Sequence, residues 1–268
     1  MEKTYFNIKN RGGSVEHYFH FLLGFLVPLV EQLSQDENQI SVVRSCGPLD
    51  RIVLDLPFTN LEIIDASTHK KAVTQFESGT TNTKIKDLLG FDDPRHYDRS
   101  IFQEFNRRVR LLYSDEINQA STHRGGSPRV VLINRSTHEF YRHGGSAEIF
   151  TSGIERRSIP NFSQIEIGLK DNFPLLESST LEDKSLPFQI ALFDTADIII
   201  AQHGAALANL IFCRPGTKVI EVLPPYLKAG KCFQKLAACL NLEYCSVPQE
   251  NEHSAVELSK IYSALNCL

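Results

Sequence analysis

Ile198-Ile199-Ile200-Ala201-Gln202-His203-Gly204-Ala205-Ala206-Leu207-Ala208-Asn209-Leu210-Ile211-Phe212-Cys213-Arg214-Pro215-Gly216-Thr217-Lys218-Val219-Ile220-Glu221-Val222-Leu223 decides how this chain folds. A β-branched apolar run stops at a turn of small residues. A short helical pattern follows, Pro215-Gly216 breaks it, and a second apolar run carries Glu221 near its end. That predicts a strand, a tight turn, a helix and another strand. In open α/β sheets, ligands bind beyond the carboxyl ends of the strands, which is where His203 and Glu221 stand. The N–H groups opening the helix at 205–212 suit a phosphate.

Outward from this stretch the same alternation continues. Strands are expected at 129–134, 173–176 and 243–247, and helices at 161–170, 186–195, 232–240 and 255–266. Strands alternating with helices imply βαβ units and a parallel sheet. The amino-terminal side is less regular. It offers a strand at 3–8, a turn at Arg11-Gly12-Gly13-Ser14 with Ser14 as N-cap, and an apolar helix at 15–33 that Pro28 would kink. Strands at 40–44 and 61–65 and a helix at 101–117 follow, whereas the polar region 68–98 reads as loops and short helices. His123-Arg124-Gly125-Gly126-Ser127-Pro128 is the richest turn cluster and reads as a linker. The expectation is two α/β domains, 1–124 and 125–268, with a cleft between them as the ligand site. The last helix could pack back on the first domain.

The chain has 268 residues, 42% hydrophobic and 22% charged, enough for one large or two small domains. A net charge of −4 gives no basic field for nucleic acid. Six cysteines (46, 213, 232, 239, 245, 267) form no Cys-x-x-Cys pair and read as reduced core thiols of an intracellular protein. Residues 1–10 do not read as a secretory leader, and the apolar stretch 18–30 is too short to span a bilayer. A soluble, cytoplasmic protein without a membrane anchor is expected.

Five groups could carry chemistry. The turn His203-Gly204-Ala205-Ala206 lets a backbone approach a diphosphate, or is simply a tight turn with an exposed His. Asn134-Arg135 ends a strand, and a permanently charged guanidinium suits phosphate; the plainer reading pairs Arg135 with Glu139. Glu221, a carboxylate in an apolar strand, needs a partner: sugar hydroxyls, or a cation at Arg214 or Lys218. Glu16, His17 and His20 lie in the first turn expected for the apolar helix, with His17 and His20 on one face. Either His could take a proton near neutral pH, or be a core or N-cap residue, and no third metal ligand accompanies them. Last, Tyr141-Arg142-His143-Gly144-Gly145 through Arg156-Arg157 is a cationic Gly-rich insertion, a lid or a solvated loop. No P-loop, dinucleotide fingerprint, nucleophile elbow or Asp-x-Asp occurs.

The order of these motifs resembles the carboxyl half of glycosyltransferase family 61, over about residues 128–225. It runs Asn134-Arg135, Arg157-x-x-x-Asn161, Leu186-Pro187-Phe188-Gln189, Ala196-Asp197, His203-Gly204-Ala205-Ala206-x-x-Asn209, Pro215-Gly216 and Glu221. His17-Tyr18-Phe19-His20 followed by Pro28-Leu29 is similar to the family's early His-containing helix. Many members carry an Asp shortly after that His, where Phe21 and Leu22 stand here.

The resemblance implies a GT-B-like α/β fold, two Rossmann-like domains with parallel sheets facing a central cleft. It implies an inverting, metal-independent transfer of a sugar, xylose as best guess, from a UDP-sugar to a glycan hydroxyl, with no further cofactor. Arg135, His203, Gly204, Ala205 and Ala206 would hold the donor diphosphate. Asn134, Arg157, Asn209 and Glu221 would shape the nucleoside or sugar pocket, and Gln189 would be structural. The general base would be His17 first, then Glu16 and His20. The alternative is a non-catalytic nucleotide- or glycan-binding module of the same fold.

Overall fold

The computed structural model describes residues 3–11, 14–33, 39–81, 84–120, 127–137, 153–227 and 231–268. The chain divides into two compact units, Met1–Arg108 and Val109–Leu268.

The first unit is built on β1 (Lys3–Lys9), β2 (Ile40–Arg44), β3 (Leu61–Ile64) and β4 (Lys84–Leu89), all parallel in the order β3-β2-β1-β4. The chain steps outward from β1 to β3, then returns to the other side of β1. The sheet therefore has a topological switch point between β1 and β4, the place where such sheets bind ligands. β4, and all but the first two residues of the helix at 66–77, fall in the region 68–98, whose polarity reads as loops and short helices and hides the strand. β4 reads Lys-Ile-Lys-Asp-Leu-Leu, mostly exposed, because it is the edge strand and an edge carries charge. Its register is fixed by Asn7, which donates to Asp87 at 2.7 Å, and by the pair Lys9–Asp87 at 3.6 Å.

The apolar helix is not continuous. α1 (Tyr18–Phe21) passes through a π-helical turn (Leu22–Leu26) into α2 (Val27–Leu33). Ser14 folds residues 14–17 into a turn, its carbonyl accepting from the His17 amide and its hydroxyl from the Glu16 amide. Glu16 and His17 consequently precede the helix instead of forming its first turn. Proline has no N–H to give the Gly24 carbonyl four residues back, and the chain widens there, with the Val27 amide reaching Leu22. The Gly24 carbonyl faces Gly90, where a Cβ would lie 2.8 Å from it, so only glycine allows this approach. After a short α3 (Asp50–Leu54), Asp65 does not extend β3 but caps α4 (Ala66–Glu77), accepting from the Thr68 amide at 2.9 Å.

α5 (Arg99–Leu112) contains the division between the units. The split falls ahead of the Gly-rich stretch where the sequence places the linker because α6 (Ser114–Ala120) packs with the second unit, on the helix at 186–194. The second sheet has five parallel strands, β5 (Arg129–Ile133), β6 (Leu175–Ser179), β7 (Ile198–Gln202), β8 (Lys218–Leu223) and β9 (Glu243–Pro248), in the order β6-β5-β7-β8-β9. Its switch point lies between β5 and β7. α7 (Phe162–Lys170) lies in the β5–β6 connection, and α8 (Leu186–Asp194), α9 (Cys232–Cys239) and α10 (Leu258–Cys267) complete the unit.

One face is an apolar layer of Val130, Leu132, Ile198, Ile200, Ile220, Val222 and Val247 covered by Ile165, Leu169, Ile261 and Ala264. α10 thus packs on its own unit's β8 and β9. Strand alternation turns Glu221 and Tyr244 to the opposite face. Residues 205–212 form a 3-10 helix instead of the α-helix their pattern suggests, with the Leu207 amide bonded to the Gly204 carbonyl three residues back. Of the six cysteines, all free, Cys46 and Cys213 are buried and Cys267 is exposed, so only two are core thiols. Among the described residues no helix is long and apolar enough to cross a membrane.

Candidate active site

In the second unit, Arg135 leaves the end of β5 and His203 the end of β7, the two strands that flank the switch point. Asn134 continues the ladder to β6 through its amide, which donates to the Ser179 carbonyl, while its side chain accepts from the Arg135 amide at 2.9 Å. The Arg135 guanidinium then crosses to the β7 turn and donates Nη2–H to the His203 carbonyl at 2.5 Å. Arg157, only 4% exposed, donates to the same oxygen from Nη1 at 2.8 Å and to the Tyr226 hydroxyl from Nε at 3.0 Å. Two guanidiniums therefore converge on one neutral carbonyl. Gly204 makes room for this, since a Cβ there would lie 2.1 Å from Arg135 Nη2.

Gln202, beside the turn, ties it to the rest of the unit. Its amide nitrogen donates to the Ser158 carbonyl, to Gln249 Oε1 and to the Glu252 carbonyl. Ala205 and Ala206 are half-buried behind the turn, and burial becomes complete from Leu207 onward. The helix-terminus contribution is smaller than an α-helix would give, because the segment is 3-10. The cationic side chains carry the charge here.

Glu221 finds its partners on its own side of the sheet rather than in Arg214, which pairs with Asp197, or Lys218. One carboxylate oxygen accepts from His203 Nδ1 and the other from the Tyr244 hydroxyl. The Phe233 ring meets the His203 ring edge-on, with centroids 5.2 Å apart. With Nδ1 engaged, Nε2 is the imidazole atom left to address a ligand. His203, Glu221 and Tyr244, with Lys231, Cys232 and Ser246, line a cavity of about 250 Å³. Asn209 does not line it. This side chain is fully buried and donates to Gln189 Oε1 at 2.9 Å, so the two staple the 3-10 segment to α8.

Burial, reinforced by the Glu221 charge, pushes the Tyr244 phenol well above its ordinary range. The folded state then holds this proton more tightly than the unfolded chain, so the stabilisation is complete below about pH 10 and declines as pH rises past it. Buried Cys46 and Cys213 are raised as well and act in the same direction. Tyr244→Phe isolates the phenol. Urea denaturation between pH 9 and 11 should show the wild type losing up to about 1.4 kcal/mol per pH unit more than the variant. Parallel profiles would overturn the assignment.

In the first unit, His20 of α1 is the candidate with a carboxylate partner. Its Nδ1 lies 2.6 Å from Asp92 Oδ2, and Asp92 has no exposed surface. Asp92 stands just past β4, and Arg11, just past β1, donates its amide to both carboxylate oxygens at 3.0 and 3.1 Å. Glu16 lies elsewhere, packed against Gly47, which takes φ +61. His17 is the residue ahead of α1. Residues 141–145 and Glu139 lie outside the described residues; Arg156 and Arg157 lie within them. Asp92, Tyr244, Phe233, Lys231 and Tyr226 are brought to these sites by the fold and are not singled out by the residue pattern. Asp92 follows a strand hidden by its charge, and the aromatic residues carry no spacing signal.

The profile of glycosyltransferase 61 matches residues 18–220. The chain belongs to glycosyltransferase family 61. The match begins at the first residue of α1, takes in both His20 and Asp92, and runs through the Arg135–His203 crossing to β8. No curated protein matches the chain. As a family 61 glycosyltransferase it handles a sugar donor and a glycan acceptor. Among the described residues no group of three or more His, Cys, Asp or Glu side chains is placed to hold a metal ion.

Proposed function

We propose that this glycosyltransferase transfers a sugar, xylose as first choice, from a UDP-sugar to a glycan hydroxyl with inversion and without a metal ion. The observation that carries this reading is the meeting of Arg135 and Arg157 at the His203 carbonyl, at the switch point of the second sheet. Like charges brought together on a neutral oxygen attract an anion, and a diphosphate supplies one with geometry suited to guanidinium forks.

The acceptor oxygen attacks the anomeric carbon from the face opposite the diphosphate. The new C–O bond forms as the bond to the β-phosphate oxygen breaks, and the acceptor proton passes to a base on the first unit. Charge develops on the departing UDP, where Arg135, Arg157 and the imidazolium form of His203, donating from Nε2–H while Nδ1–H stays on Glu221, stabilise it. Glu221 keeps the His203 ring turned for this task, and the neighbouring cavity takes the nucleoside or sugar.

The test is a comparison of UDP, UMP and uridine by thermal shift, followed by UDP release from UDP-xylose, UDP-N-acetylglucosamine and UDP-arabinose. UDP at 100 times its Kd should add about 2.7 kcal/mol of stability. UDP giving no more protection than uridine would sink the diphosphate site. Binding without UDP release in the presence of glycan acceptors would make the chain a binding module. Transfer abolished by EDTA and restored by manganese would overturn the metal-free route.

A further inference from the structure

We infer that His20 is the general base of the transfer and that Asp92, brought to it from the end of β4, is the residue that positions it. The inference rests on the glycosyltransferase reading above and names a proton acceptor within it. Its ground is the placement of the pair in the first unit. The switch point of the first sheet lies between β1 and β4, and both strand ends contribute: Arg11 follows β1, and Asp92 follows β4. The Arg11 amide bonds to both Asp92 oxygens and fixes the carboxylate from one side. Gly24, in the π-helical turn that follows α1, closes it from another, since a Cβ there would lie 3.0 Å from Asp92 Cγ. π-helical turns inside helices gather at functional sites, and this one begins two residues after His20.

The chemistry follows from what each atom can do. Burying a carboxylate completely is expensive unless it is paired and hydrogen-bonded. Asp92 meets that cost through one backbone amide and His20. A carboxylate only accepts, so Nδ1 of His20 carries the proton toward it, and the neutral ring presents Nε2 as a lone pair. The His20 side chain remains 23% exposed while its partner is sealed. Phe19 packs edge-on against its ring, centroids 5.2 Å apart, and limits its rotation. A proton taken at Nε2 from the acceptor hydroxyl yields an imidazolium that Asp92 stabilises through Nδ1. The residues that follow His20, Phe21 and Leu22, offer no carboxylate, and Asp92 supplies one from beyond the end of β4.

Two variants and one spectrum test this. His20→Asn keeps an amide N–H near Nδ1 for Asp92 and removes Nε2. Asp92→Asn keeps an oxygen for the Arg11 amide and offers His20 an N–H, which forces the other tautomer. Each should lower kcat for transfer about 10²–10⁴-fold while the KM for donor is kept, and the double variant should be little worse than either. In wild-type protein, long-range ¹H–¹⁵N NMR of the imidazoles should report His20 as the Nδ1–H tautomer. This readout does not depend on any variant folding. Transfer within threefold of wild type in His20→Asn, or His20 found as Nε2–H, would overturn the inference. UDP binding measured on the wild type separates this from a failure of the donor site. A chain that binds UDP and transfers sugar regardless of His20 loses only the base assigned here.

Discussion

Arg135→Ala should lower glycosyl transfer about 10²–10³-fold while the protein stays folded. The Arg135 guanidinium is half-buried, reaches across the switch point from β5 to the β7 turn, and ends on the His203 carbonyl. In the proposed donor site this group faces the place where a leaving diphosphate gains charge, and such a contact is worth more in the transition state than in the ground state. Its removal should therefore lower kcat as well as donor affinity. Gly204→Ala provides the companion result. The added methyl would strike Arg135 Nη2 and not backbone, so the guanidinium can swing away. That variant should melt near the wild-type temperature yet share the kinetic defect in weaker form, because it displaces Arg135 without deleting it. Steady-state assays of UDP release with both variants check this. Near-normal turnover in Arg135→Ala would remove the arginine from the donor site.

This crossing also shows how far the residues alone reach. The second sheet is readable because β5, β7 and β8 are buried on both faces and so spell near-continuous apolar runs, Val130–Ile133 being all buried. Arg135 and His203 stand out as polar residues directly after such runs. What the pattern could not give is where the side chains go. Arg157, in sequence a member of a cationic insertion, is nearly sealed and shares an acceptor with Arg135. Asn209 stands in a motif beside the turn but points into the core, because a 3-10 segment distributes its faces differently from the α-helix the pattern suggests. The first sheet was less legible for a physical reason. Its switch point is made by β4, an edge strand carrying Lys84, Lys86 and Asp87, which dilutes the apolar signal. Nothing in the residue pattern therefore places Asp92 near His20, and the His motif by itself lacks the carboxylate that the fold supplies from elsewhere.

Glu221→Ala should carry the largest cost to stability among these substitutions. The carboxylate is 2% exposed and accepts from two groups, the imidazole of His203 and the hydroxyl of Tyr244. Deleting it strands both donors in a region with little water, at about 1–3 kcal/mol for each, before the lost packing is counted. His203 is the less costly of the two, since 16% of its side chain reaches solvent. Glu221→Gln keeps the volume, an acceptor oxygen for Tyr244 and an N–H that His203 can meet only in its other tautomer, so it should lose less stability than the alanine variant. Coupling separates the carboxylate's role from general packing. If Tyr244 depends on Glu221, Tyr244→Phe should cost less in the Glu221→Ala background than in wild type, by 0.5 kcal/mol or more. Urea denaturation of the four proteins at neutral pH measures that cycle. Additive losses, or a Glu221→Ala protein within about 1 kcal/mol of wild type, would mean that the carboxylate does not hold the cluster together. Under the proposed mechanism the same substitution should weaken transfer even where the protein remains folded, because the His203 ring would lose its Glu221 anchor.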